Sequence, residues 1–80
     1  MKATILVRPK HGILDPHGEA VEGALRHLGF AVSEARVGRV VDVELDAGDS
    51  EDARAQLARM CEQLLANPLI ESYEIALEDA

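Results

Sequence analysis

From Val41 to Asp46 the chain alternates without a break: Val41, Val43 and Leu45 fall on one side of an extended backbone, Asp42, Glu44 and Asp46 on the other. The closing stretch, residues 70–78, does the same with Tyr73, Ile75 and Leu77 against Glu74, Ala76 and Glu78. A period of two with acids along one side belongs to a sheet that buries one face and wets the other. In a chain of 80 residues, cover for the buried face comes from the few remaining segments, and a partner that covers an exposed face or edge would add to it. The length allows two layers around one thin core and no separate catalytic domain.

Those remaining segments read clearly. Residues 3–8 form a β-branched run that ends at Pro9. After a short loop, Asp15 and Pro16 open a helix, Asp as cap and Pro at the first helical position, with Glu19 suiting the positive end of the dipole. Val21, Ala24, Leu25 and Leu28 fall at helical spacing, which predicts an apolar stripe facing the core, and Gly29 is a left-handed terminator. Residues 30–37 read as a second strand with imperfect alternation, turned at Gly38 into the cleaner strand that follows. Gly48-Asp49-Ser50 caps a second helix, residues 51–66, whose stripe is Ala53, Leu57, Met60, Cys61, Leu64 and Leu65. Asn67-Pro68 stops it, Asn by tolerating the left-handed region and Pro by refusing a further helical bond. The order is βαββαβ in a single domain, residues 1–80. The expected fold class is α+β, a ferredoxin-like four-stranded antiparallel sheet with two helices on one face.

Charge narrows the function. Eight basic and fifteen acidic residues leave a formal charge of −7, and that field opposes a polyanion, so nucleic-acid binding is not expected. Neither a signal peptide nor a run of about 20 apolar residues can be found, which makes no membrane and a cytoplasmic location the default. The lone Cys61 has no internal disulfide partner.

Catalytic chemistry is hard to place. His11, His17, His27 and Cys61 show no metal-ligand spacing, so no metal site is expected. Cys61 sits among Met60, Glu62, Leu64 and Leu65, the setting of a buried thiol rather than a nucleophile. The acidic runs Asp46 to Asp52 and Glu71 to Asp79 read as solvated faces, and no phosphate loop is present. No catalytic residue is therefore assigned. One grouping stands out in so acidic a chain: Arg8 and Lys10 at the end of the first strand, Arg36 and Arg39 around the central turn. These four are the candidate partner-interface residues, able to meet an acidic protein surface or a phosphate.

Three segments carry a resemblance. Leu14-Asp15-Pro16-His17-Gly18 opens the first helix, Arg36-Val37-Gly38-Arg39 makes the central turn, and Met60 to Tyr73 runs a C-E-x-L-L-A-N-P helix end into an I-E-x-Y strand. In this order and at these separations they resemble the PurS subunit family of phosphoribosylformylglycinamidine synthase, over essentially the whole chain. The resemblance implies a small subunit that forms a homodimer or higher homo-oligomer. It also implies assembly with a large synthase subunit (PurL) and a glutaminase subunit (PurQ) for ammonia transfer to formylglycinamide ribonucleotide. ATP and magnesium would then be used by the complex, with no cofactor bound by this chain. Asp15, Pro16, Gly18, Gly38, Asn67 and Pro68 match the family's structural pattern. His17 stands where the family usually has Gln, and no contact is carried over to it. The competing reading is a dimeric ferredoxin-like sensor that binds an amino acid or another small molecule at the Asp15-Pro16-x-Gly18 loop.

Overall fold

A computed structural model describes residues 1–78. Strand β1 (Lys2–Pro9) leads through helix α1 (Pro16–His27) to β2 (Arg39–Glu44); helix α2 (Ser50–Met60) follows, extended by a π turn (Cys61–Leu65), and β3 (Glu71–Glu78) closes the order. The sheet is antiparallel with β1 at its centre, in the order β2-β1-β3. Ile5 stands opposite both Val41 and Ile75, so the alternation of all three strands is in phase. Ala3, Ile5 and Val7 are buried beneath Leu57, Cys61 and Ala66, with Val41, Val43, Ile75 and Leu77 packed around them. Thr4, Leu6 and Arg8 with their opposite residues Asp42, Val40, Ala76, Glu74 and Ser72 face the other way. The dry and wet faces are those the alternation predicts.

The four-stranded sheet is overturned: the sheet has three strands, and residues 30–37 form none. Some of the backbone groups that a ladder would need are taken by side chains. Arg26 donates from Nε to the Val32 carbonyl at 2.8 Å and from Nη2 to that of Ser33 at 2.9 Å. The Val37 amide donates to Asp15 Oδ2 at 3.0 Å. Backbone groups engaged in this way are not free to pair with the outer edge of β2.

Helix α1 also departs from expectation. Asp15 caps it and Pro16 opens it as read, and Gly29 is left-handed with φ +100°. Its apolar stripe does not reach the core: Gly18 is its only buried residue, and Leu28 is 71% exposed. The helix is an arm, and the molecule measures 50 × 27 × 14 Å in consequence.

Helix α2 is capped by Asp49, whose side chain accepts from the Asp52 amide at 2.8 Å. It loses α geometry at Cys61, where the Ala66 amide donates to the Cys61 carbonyl five residues back at 3.0 Å. The wider turn carries Ala66 round to the core and leaves Leu64, expected in the stripe, 82% exposed. The helix ends before Asn67, at an extended Ala66 with φ −133°. No residue other than glycine has positive φ among the described residues; instead Asn67 Oδ1 accepts from Leu69 N at 3.1 Å, an Asx turn ahead of β3.

Candidate functional site

The residues singled out by sequence gather at one end of the molecule, where β1 ends, α1 begins and β2 starts. Asp15 is the joint. Its Oδ1 accepts the Gly18 amide at 3.0 Å, capping α1, and its Oδ2 accepts the Val37 amide from across the chain. These two donated hydrogen bonds, Gly18 first and Val37 second, hold the carboxyl below the usual carboxylate range despite some desolvation. Both glycines of the pattern are explained by close approach. A Cβ on Gly18 would stand 2.6 Å from the Ala35 carbonyl oxygen, and one on Gly38 would overlap the Val7 carbonyl oxygen. Two motifs twenty residues apart are therefore halves of one junction, a relation the sequence did not reveal. Each Asp15 oxygen thus accepts one backbone N–H.

The four candidate cations meet different fates. Arg39 makes a bidentate pair with Glu71, Nη1 to Oε2 at 2.7 Å and Nη2 to Oε1 at 3.0 Å, and donates to the Leu65 carbonyl at 2.6 Å. It thereby ties β2 to the end of the π turn and the start of β3. Glu71 also accepts the Asn67 amide at 2.7 Å. The guanidinium above all, then the Asn67 N–H, keep its carboxyl below the usual range, while Glu71 raises the Arg39 pKa. Lys10 is turned to similar use, its Nζ donating to the Pro68 carbonyl at 2.7 Å and its amide to that of Ile70 at 2.9 Å. Arg8 reaches Glu74 on the wet face at 3.4 Å. Arg36, half-buried, meets no carboxylate among the described residues; its Nη1 lies 3.4 Å from His11 Nε2.

Glu71 is the residue that sequence reading missed, counted among solvated acids; a bidentate partner thirty-two residues away leaves no local signal. Asp79 of the same run lies outside the described residues. Cys61 is fully buried, and its thiol pKa is raised by desolvation and then by Glu62. Glu62 also accepts the Tyr73 hydroxyl at 2.9 Å, which raises the phenol's pKa. Among the described residues no group of three His, Cys, Asp or Glu side chains could hold a metal ion, and no helix is long and apolar enough to cross a membrane.

Residues 2–79 match the family model described as PurS, phosphoribosylformylglycinamidine (FGAM) synthase. The chain belongs to the PurS family. Its curated PurS relatives include that of Archaeoglobus fulgidus, 42% identical over 76 residues that cover 94% of this chain and 95% of the relative. The crystal structure of Methanocaldococcus jannaschii PurS, one of the subunits of formylglycinamide ribonucleotide amidotransferase in the purine biosynthetic pathway, superposes with a TM-score of 0.86 at 36% identity. It covers 99% of this chain and 96% of that one. A chain in the structure of PurLQS from Thermotoga maritima matches with a TM-score of 0.86 and 36% identity, covering 94% of this chain and 93% of that one. As a PurS chain it is a subunit of FGAM synthase, an enzyme of purine biosynthesis.

Proposed function

We propose that this PurS chain is a non-catalytic accessory subunit that self-associates and holds the PurL synthase and PurQ glutaminase subunits together. In that position ammonia released by one reaches formylglycinamide ribonucleotide on the other without dilution into water. The observation that carries this reading is α1. A helix with an apolar stripe, Leu28 71% exposed at its end and Phe30 59% exposed beyond it, has a face built for a surface the single chain does not supply. A second copy is its first expected occupant, since the identical chain also leaves the outer edge of β2 unpaired. The remaining surface then serves the larger subunits, as the PurLQS neighbour supports. The reacting groups belong to those subunits: Cys61, the one thiol here, is buried and held protonated. A lone unpaired cysteine suits a cytoplasmic location.

Reconstitution tests the reading. ATP- and glutamine-dependent amidination by the large and glutaminase subunits is measured with and without this chain. Activity that appears, or rises at least tenfold, on its addition is expected. Equal rates with all three proteins folded would end the accessory reading.

A further inference from the structure

Between the end of β1 and the start of β2 lies an open cleft of about 390 Å³. Its floor includes the aliphatic side chains of Leu6 and Val40, and its rim carries Arg8, Arg36 and Arg39. No carboxylate is among the lining residues, in a chain whose formal charge is −7. Two of the three rim cations have acid partners outside the cleft, Arg39 a tight bidentate one and Arg8 a loose one at 3.4 Å that is exposed on both sides. Arg36 has no ion pair within 4 Å among the described residues, although it also lines a neighbouring cleft with Asp15, Glu19, Glu22 and Glu34. Its place is fixed from both sides: the Val37 amide is held by Asp15, and Gly38 crosses tightly over the Val7 carbonyl. The guanidinium is thus presented by a constrained turn rather than by a free loop.

We propose that this cleft docks an acidic segment of a partner protein of the assembly, a carboxylate on Arg36 with an aliphatic side chain beside it on Leu6 and Val40. The inference rests on the assembly reading and gives it a surface. Charge complementarity selects the occupant: a planar guanidinium with no carboxylate within 4 Å donates two parallel hydrogen bonds to one, and Arg8 can exchange its long contact for a second one. The aliphatic floor selects a side-chain-bearing polypeptide over a free phosphate, which gains nothing from Leu6 and Val40. An acidic partner meeting this one basic cleft is also drawn there through an otherwise repulsive field.

The test measures affinity of the full chain for the large and glutaminase subunits together, at low and at high salt, by biolayer interferometry. Arg36→Glu and Arg36→Gln are compared with Arg54→Glu, which makes the same charge change on the outer side of α2. Circular dichroism confirms that each is folded; should Arg36→Glu fail, Arg36→Gln carries the comparison. The expected result is a loss of at least tenfold for Arg36→Glu at low salt and a smaller loss for Arg36→Gln. Both losses shrink at high salt, and Arg54→Glu binds within about twofold of wild type. Unchanged affinity of the Arg36 variants, or equal losses at Arg36 and Arg54, would overturn the cleft while leaving the assembly reading in place. Wild-type chain that binds neither subunit would overturn both. Thermal stabilisation of wild type, but not of Arg36→Gln, by millimolar inorganic phosphate would make the cleft a phosphate site instead. Dissociation of the homo-oligomer by Arg36→Glu in sedimentation would make the occupant a second copy.

Discussion

The two helices of this chain have nearly the same length and opposite circumstances. α2 lies across the sheet and buries Ala53 and Leu57 completely, while α1 buries only a glycine, and that under its own cap. Both have a stripe of apolar residues and an aspartate cap, so neither propensity nor amphipathicity distinguishes them. The difference is what lies in front of each face. α2 is tied to the sheet at its far end by Arg39, Glu71 and Asn67, whereas α1 is tied through Asp15 and Arg26 only to residues 32–37, which lie outside the sheet. A single amphipathic pattern therefore specifies that a helix must be covered and says nothing about which chain provides the cover.

That contrast breaks most sharply in the covered half. Leu57→Ala empties a fully buried site over Ile5 and is expected to cost about 2–5 kcal/mol, enough to leave much of so small a domain unfolded in a urea titration. A loss under about 1 kcal/mol would mean that the two helices are less different than their burial indicates.

Next in size is the joint. Gly38→Ala puts a methyl group into the Val7 carbonyl oxygen, and the backbone of either the turn or β1 has to move. We expect a cost of about 2–3 kcal/mol in denaturant titrations, because two ordered backbones are harder to displace than a side chain. A near-neutral result would show that the turn can slide on β1, and that the placement of Arg36 is softer than its hydrogen bonds indicate.

Smaller again is the ion pair. Arg39→Ala is expected to cost about 1 kcal/mol near neutral pH, since the pair is bidentate but half open to water. Arg39→Lys should recover only part of this, because an ammonium cannot reproduce the fork. The pH dependence has a definite sign. The Glu71 carboxyl is held below its unfolded range, so its contribution is fully present above about pH 4.3, the unfolded value, and is lost as pH falls through the lower folded value. The gap between wild type and Arg39→Ala should accordingly close in acid. A gap that stays constant down to pH 2 would place the cost elsewhere.

The smallest effect on the fold is expected at the arm. Leu28→Ser should change the unfolding free energy of the separated chain by no more than about 0.5 kcal/mol, while reducing self-association in sedimentation. Undiminished association would remove α1 from the interface between copies.

The parts of the fold that could be read from sequence are those whose cause is local. The alternation of β2 and β3, the caps at Asp15 and Asp49 and the left-handed Gly29 each follow from one residue and its immediate neighbours. The errors arise where distant groups compete. Residues 30–37 have enough β-branched and aromatic character for a strand, but Arg26 and Asp15 claim their backbone first. Leu64 keeps a perfect helical period with Leu57 and Cys61, and one widened turn takes it out of the stripe. At the candidate site the cations were visible as a group, but their division was not. Lys10 and Arg39 hold β3 in place and Arg36 is left without such a tie, because the carbonyls and carboxylates that sort them come from the far end of the chain.

The burial of Cys61 has a practical consequence for watching this molecule move. It is the sole cysteine, fully enclosed between α2 and the sheet, so a thiol reagent can reach it only when that half opens. No residue of α1 belongs to the cluster that encloses it. The labelling rate of the unmodified protein is thus a built-in clock for core opening, deaf to the arm, and comparing it with amide exchange along α1 times the two halves separately within one chain.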